Sequence, residues 1–172
     1  MSTSRIHNSY WVVPKRLLAG EYPVYMDSAE TRRRLRWLLS QGVSQVINLT
    51  VAGEYGLPPY EDLLAKEAAD MGRPVVCSRM SILDFGIPTA EEMRQILDGL
   101  QAALDDGGVV YLHCYGGIGR TGTVVGCYLR EQGLDGEAAL SRIARLRLGL
   151  PNSWRRSPET EEQRLLVINW SG

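Results

Sequence analysis

One stretch constrains this chain more than any other: His113-Cys114-Tyr115-Gly116-Gly117-Ile118-Gly119-Arg120-Thr121-Gly122. It follows an apolar, β-rich run (Val109, Val110, Tyr111, Leu112) and precedes a helix-like segment over residues 123–132. A cysteine is thereby delivered to a glycine turn where a strand ends and a helix begins. The amides of such a turn and the positive end of the helix dipole favour an anion there. The same partial charge favours a thiolate over a thiol. Arg120, six positions beyond the cysteine, adds a planar fork that matches two oxygens of a phosphate. A nucleophile and an oxyanion cradle are thus expected in one turn.

Other motifs share these letters. Gly117, Gly119 and Gly122 spell the dinucleotide fingerprint G-x-G-x-x-G, between a strand and a helix. That reading needs a second strand ending in an acidic residue about 20 positions on. Residues 135–147 instead have helical spacing, with Ala139, Leu140, Ile143 and Leu146 apolar. A Walker A loop fails more simply, since no lysine precedes Thr121.

Around the motif the chain alternates strands and helices. Residues 10–13 and 17–19 read as short strands turned by Pro14-Lys15. Asp27 is a helix cap with Glu30 three positions on, and Leu35, Leu38 and Leu39 point inward. A buried strand is expected over 43–49, a Gly/Pro loop over 50–59, and a helix lined by Leu63, Leu64, Ala68 and Met71 that Gly72 stops. Residues 74–80 read as the next strand. Thr89 with Glu92 caps a helix whose inner face is Met93, Leu97, Leu100 and Leu104. Ser157-Pro158 fits the cap and first turn of a last helix reaching about residue 170. This pattern predicts an α/β fold with a mainly parallel sheet flanked by helices on both faces, in one domain over residues 1–172. The ligand site then belongs at the carboxyl ends of the strands, where the cysteine turn lies.

Bulk properties narrow the class. At 172 residues the chain can bury a core without staples. A net charge of -1 and a pI near 6.1 give no nucleic-acid footprint. The first eight residues carry no apolar signal segment, and no run approaches membrane-spanning length. Three irregularly spaced cysteines do not make a disulfide framework. A cytoplasmic monomer that binds neither membrane nor nucleic acid is the expectation.

The pattern H-C-x-x-G-x-x-R-[ST] at residues 113–121 resembles the signature of cysteine-dependent protein tyrosine phosphatases. Five fixed positions make chance agreement rare, on the order of 10⁻⁴ or less at average composition. The segment Asn8 to Gly20 also resembles the N-terminal part of the small atypical dual-specificity phosphatases, so the likeness spans nearly the whole chain. It implies Cys114 as nucleophile and Arg120 with the amides of Tyr115, Gly116, Gly117, Ile118, Gly119 and Arg120 as phosphate holders. It implies that His113 hydrogen-bonds the turn and helps keep Cys114 ionised. Thr121 could donate its hydroxyl to the thiolate, or cap the helix instead.

A phosphate ester leaves as an oxyanion and needs a proton. Asp84, in Leu83-Asp84-Phe85-Gly86-Ile87-Pro88, lies in a loop between a strand and a capped helix. It resembles the family's general-acid pattern D-x-G-x-P, although Leu83 stands where a proline is usual. Glu54, Glu61 and Asp62 are the other acids within reach of this role in sequence. Ser157 to Gln163 resembles the family's E-T-x-E-Q segment, which implies that Gln163 helps place the hydrolytic water; an exposed helical glutamine is the plain alternative. Arg155 and Arg156 could draw in an anion or merely be solvated. Cys77 is either a buried strand cysteine or a resolving partner for oxidised Cys114, and Cys127 reads as core packing.

The expectation is a phosphomonoester hydrolase working through a cysteinyl-phosphate, with no metal and no cofactor. Its partner would be a phosphorylated protein (Tyr or Tyr/Ser/Thr) or another phosphomonoester such as an inositol phosphate, a phosphoinositide or an RNA 5′-phosphate. A phosphate-binding module without turnover would have lost the nucleophile, the arginine or the acid, and all three are present; a sulfur-transferring rhodanese-like enzyme would leave the acid loop and the glutamine segment without a role.

Overall fold

The computed structural model describes residues 6–172. Residues 1–5, part of the segment read above for a targeting signal, lie outside the described residues. Five strands form one sheet: β1 (Ser9–Val13), β2 (Leu17–Gly20), β3 (Gln45–Asn48), β4 (Val76–Arg79) and β5 (Val110–His113). They lie in the order β1-β2-β5-β3-β4, with β1 antiparallel to β2 and the remaining pairs parallel. Six helices accompany them: α1 (Ser28–Ser40), α2 (Glu61–Asp70), α3 (Ala90–Asp105), α4 (Gly119–Glu131), α5 (Gly136–Leu146) and α6 (Glu161–Asn169). A short 3₁₀ turn occupies Glu54–Gly56.

Two-residue alternation along the strands sorts the core onto the two faces of the sheet. Leu18, Val46 and Tyr111 pack with Leu35, Leu38 and Leu39 of α1 and Leu64 and Ala68 of α2. Leu17, Ala19, Ile47, Val110 and Leu112 pack with α3, α4, α5 and Val167 of α6. Helices therefore cover both faces, as the alternating pattern predicts. No helix among the described residues is long and apolar enough to cross a membrane.

Several boundaries follow from capping. Asp27 caps α1 by accepting from the Ala29 amide, while Glu30 pairs with Arg33 and Arg34 of the same helix. Thr89 and Glu92 form the full capping box of α3. Glu67, on the inner face of α2, is buried because Arg32 and Arg36 of α1 take its two oxygens at 2.9 and 2.7 Å. A charged residue on a buried face is tolerable when it is paired in this way.

Two expectations are corrected. The motif helix begins at Gly119 rather than residue 123, so Arg120 and Thr121 lie in its first turn. The last helix begins at Glu161, capped by Thr160, and Ser157-Pro158 precedes it with a cis peptide bond. Thr160 prevails as cap because its hydroxyl accepts from the Gln163 amide while the Gln163 side chain accepts from the Thr160 amide. Ser157 turns elsewhere, donating to the Ile118 carbonyl at 2.7 Å.

Gly20, His113, Asn48 and Arg79 are in register at the ends of β2, β5, β3 and β4. Everything that follows these residues in sequence leaves the sheet at the same edge, and the cysteine turn is among it.

Candidate active site

Residues 114–120 run from the end of β5 into α4, and five of their carbonyls are tied to donors outside the turn. His113 Nδ1 donates to the Cys114 carbonyl at 2.9 Å, and the Tyr22 amide to that of Tyr115 at 2.8 Å. Asn152 Nδ2 holds the Gly116 carbonyl at 3.2 Å, Ser157 Oγ that of Ile118, and Thr123 Oγ1 that of Gly119 at 2.8 Å. The amides of Tyr115 to Arg120, by contrast, donate to no protein acceptor among the described residues. Amides left free on the wall of a cavity are donors open to a ligand. A turn with carbonyls secured outward and amides unspent is built to receive an acceptor-rich anion.

Gly117 makes the turn possible. Its φ of +70° suits glycine, and a Cβ there would stand 2.5 Å from the Gly20 carbonyl carbon. Gly117 thus seats the turn on the end of β2. Cys114, Tyr115, Gly116, Ile118, Gly119 and Arg120 line a cavity of about 280 Å³, whereas Gly117 does not. Tyr55, Asp84, Phe85, Arg155 and Glu159 complete its wall.

Arg120 is buried, and its guanidinium is almost fully committed. Glu54 grips both terminal nitrogens, Oε1 at 2.6 Å from Nη2 and Oε2 at 2.8 Å from Nη1. Nη1 also donates to the Ile82 carbonyl at 3.0 Å, and Nη2 faces Asp84 Oδ1 at 3.0 Å. Burial opposes the guanidinium's charge, but the Glu54 hydrogen bonds, with Cys114 and Asp84 nearby, outweigh it and raise the pKa. Nε is buried with no partner. The Glu54 grip occupies the end of the fork, so the edge made of Nε and Nη2 has one donor unspent and one on Asp84. That edge is the bidentate face a tetrahedral oxyanion requires.

Asp84 is held from two sides. Oδ1 faces Arg120, and Oδ2 accepts from the Tyr55 hydroxyl at 2.6 Å. Its loop is tied down at Gly86, whose carbonyl accepts from Gln163 Nε2 at 3.1 Å. Gln163 is fully buried, not the exposed helical residue of the plain reading. Its Oε1 accepts from the Glu159 and Thr160 amides at 3.0 and 3.1 Å, and its amide abuts Gly119 so closely that a Cβ there would meet it at 3.1 Å. One carboxamide therefore joins the acid loop, the start of α6 and the cysteine turn.

His113 sits in an aromatic box, with Tyr22 and Tyr60 edge-on at 5.3 and tilted at 5.6 Å and Tyr111 stacked at 5.4 Å. The Cys114 carbonyl can only accept, so Nδ1 carries the hydrogen, and Nε2 must accept from the Tyr60 hydroxyl 2.5 Å away. Burial pulls the His113 pKa down to about 4, and it pushes that of Tyr60 well above its ordinary value. The imidazole is therefore a neutral strut for the turn. Thr121 does not cap α4; its hydroxyl is buried without a protein partner.

Among the alternative acids, Glu54 is spent on Arg120, Glu61 pairs with Arg79 at 2.7 Å and Asp62 does not line the cavity; of the two carboxylates in its wall, Glu159 pairs with Arg155 and Asp84 is the other. Arg155 lines the cavity, paired with Glu159, while Arg156 turns away toward Glu161 at 3.5 Å. No group of three or more metal-ligating side chains converges among the described residues.

The resolving role considered for Cys77 conflicts with the strand order. β3 separates β4 from β5, a lateral gap of about 9.6 Å, and Cys77 stands level with Tyr111, about 10 Å short of Cys114 along the strand. The resulting Cα separation of roughly 14 Å is about twice the ~7 Å limit for a disulfide. Cys127 lies eight residues beyond Gly119 on α4, about 12 Å up the helix, and burial pushes its thiol up to about 12.

Sequence reasoning named Glu54 only as an alternative acid, and it missed Tyr55, Tyr60, Tyr22, Asn152 and Ser157 as parts of this site. Each comes from a loop or a distant helix, and no local spacing links it to the turn.

Known proteins supply the context for this arrangement. Residues 6–164 match the family described as "PTP-SAK: Swiss Army Knife protein, DSP-PTPase phosphatase domain". An uncharacterized protein of Methanocaldococcus jannaschii is 33% identical over 89 residues, 52% of this chain and 55% of that protein. The Mus musculus "Protein tyrosine phosphatase domain-containing protein 1" is 28% identical over 126 residues, 70% of this chain and 16% of that protein. The chain thus spans about half the length of the archaeal relative and a small part of the mouse one. Kinase associated phosphatase, with its catalytic-site cysteine replaced by serine, shares the fold with a TM-score of 0.74 at 19% identity, over 93% of this chain and 90% of that one. Tk-PTP in its active form does so with a TM-score of 0.67 at 24% identity, over 94% and 93%. By the family match over most of its length, the chain belongs to the DSP-PTPase phosphatases.

Proposed function

We propose that the chain hydrolyses phosphomonoesters through a cysteinyl-phosphate, with Cys114, Arg120 and Asp84 as its catalytic residues. The observation that carries this reading is the set of unspent donors around Cys114: the amides of Tyr115 to Arg120 and the Nε of Arg120. A phosphate oxygen would replace Asp84 Oδ1 on Arg120 Nη2, a second would take Nε, and the amides would hold the equatorial oxygens. Cys114 Sγ then attacks phosphorus in line with the leaving oxygen. The S–P bond forms as the P–O bond breaks, and the Asp84 carboxyl gives its proton to the departing oxygen. In the second half, water attacks the cysteinyl-phosphate, Asp84 takes the water's proton, and the S–P bond breaks to return the thiolate and inorganic phosphate. Gln163 contributes by fixing the acid loop and, through its remaining N–H, by orienting that water.

The cavity wall supports an aryl phosphate as one substrate. Tyr55, Phe85 and Tyr115 are exposed at its mouth, with the Tyr55 and Tyr115 rings 5.6 Å apart. Arg155 is the one other cationic group in the wall, and Glu159 already neutralises it. Such a site suits a single phosphate on a tyrosine or on a serine or threonine better than a polyphosphorylated headgroup.

Hydrolysis of p-nitrophenyl phosphate without added metal, followed by a panel of phosphotyrosine, phosphoserine and inositol phosphate substrates, tests the proposal. Cys114→Ser should abolish turnover and keep vanadate binding, because the cradle is backbone and Arg120. Wild-type turnover in that variant, or none in the native protein, would overturn it. Preferred hydrolysis of inositol phosphates would overturn the assignment of a protein substrate alone.

A further inference from the structure

We propose that Tyr55 is a positioning residue for Asp84, and that its hydroxyl keeps the acid aimed at the leaving oxygen once substrate draws Arg120 away. The inference rests on the reading of Asp84 as proton donor. Among the described residues the Asp84 carboxyl has two partners, Arg120 on Oδ1 and Tyr55 on Oδ2. A bound phosphate competes for the first and not for the second. After that exchange the Tyr55 hydroxyl is what remains to fix the carboxyl, and Oδ1, next to the phosphate site, is the oxygen left to carry the proton. That proton passes to the leaving oxygen as its P–O bond breaks, while Tyr55 keeps its own.

The local backbone is arranged to this end. Tyr55 follows Glu54, so one short turn reaches both the arginine and the acid. Glu54 Oε2 also accepts from the Val51 amide at 3.0 Å, and the Glu54 carbonyl from the Leu57 amide at 2.9 Å, which fixes the turn on itself. Tyr55 occupies the left-handed region with φ of 53°, a conformation a bulky residue adopts when its surroundings hold it there. Its ring rests against Tyr115, and otherwise the side chain is exposed, so core packing does not explain it. The hydrogen bond to Asp84 raises the phenol's pKa, so Tyr55 stays a donor through neutral pH.

Tyr55→Phe tests the role, because it keeps the ring and removes the hydroxyl. Its kcat on an alkyl phosphate should fall about 5-fold, the worth of one ordinary hydrogen bond. On p-nitrophenyl phosphate, whose leaving oxygen needs little protonation, kcat should change less than about 2-fold, and KM should hold on both. In an Asp84→Asn background the same substitution should add nothing further. An equal loss on both substrates, or the full loss persisting without Asp84, would overturn the role. The two readings fail differently. If Asp84→Asn leaves the alkyl-to-aryl ratio of the native enzyme unchanged, Asp84 is not the donor and both readings fall. If Asp84→Asn lowers that ratio and Tyr55→Phe does not, the positioning role alone falls.

Discussion

Glu54 holds Arg120 by both of its terminal nitrogens, at 2.6 and 2.8 Å, and both side chains are largely shielded from water. The pair sets the plane of the guanidinium, and that plane decides whether the Nε–Nη2 edge faces the cavity. Without this grip the buried guanidinium would keep only Asp84 Oδ1 and the Ile82 carbonyl as partners, on one nitrogen each.

Glu54→Gln keeps the size and one acceptor but removes the bidentate grip. Hydrogen bonds to charged groups are worth about 1.5–3 kcal/mol, so kcat/KM should fall roughly 10- to 100-fold. Steady-state kinetics should show the loss on aryl and alkyl substrates alike, since Arg120 serves both.

Arg120→Lys keeps the charge and loses the fork. A point charge cannot meet two phosphate oxygens and both Glu54 oxygens at once, so vanadate affinity and turnover should fall together. Titration of the variant with vanadate, beside its kinetics, checks this; retention of most of the activity would show that charge alone suffices.

The neutral, buried His113 ties stability to pH. Its pKa falls to about 4 in the fold against about 6.5 when unfolded, so between those values the unfolded chain binds the extra proton. Its contribution is therefore intact above pH 6.5 and is lost as pH falls toward 4, on the order of 3 kcal/mol in all. Denaturant melts between pH 7 and 5.5, above the range where carboxylates dominate, should show this slope in the native chain. His113→Gln should be less stable at pH 7 and should lack the slope.

Mild peroxide should inactivate the enzyme by oxidising Cys114, the cysteine that lines the cavity. With Cys77 across an intervening strand and Cys127 up α4, the product should be a sulfenic acid without an internal disulfide. Peptide mapping by mass spectrometry distinguishes the two, and a Cys77–Cys114 linkage would require β4 to leave the sheet.

Much of this was legible in the sequence because it is local. Residues 109–122 carry strand, turn and helix in one run, and Thr89 with Glu92 declares a helix start by spacing alone. The alternation of Leu17, Leu18 and Ala19 and of Tyr111 and Leu112 distributes side chains to two faces before any packing is known. What escaped was long-range. Glu54 and Arg120 are 66 residues apart, and a loop glutamate has no periodicity to mark it. Gln163 was noticed by resemblance, yet its burial depends on α6 meeting both Gly86 and Gly119. Ser157-Pro158 misled because Ser-Pro is a good local start for a helix, and the pull of the Ile118 carbonyl on Ser157 is invisible in one dimension.

The outward-secured carbonyls of Cys114, Tyr115, Gly116 and Ile118 have a temporal consequence. Their anchors are Tyr22 near the start of the chain, His113 beside the turn, and Asn152 and Ser157 near its end, with Asn152 itself donating its amide to the side chain of Asn8 at 3.1 Å. A chain still emerging from the ribosome has its reactive thiol long before it has residues 152–157. Until those anchors are in place, the peptide planes of Tyr115, Gly116 and Ile118 lack the partners that fix them. If the chain hydrolyses phosphomonoesters as proposed, activity in refolding experiments should return after helix and strand have recovered.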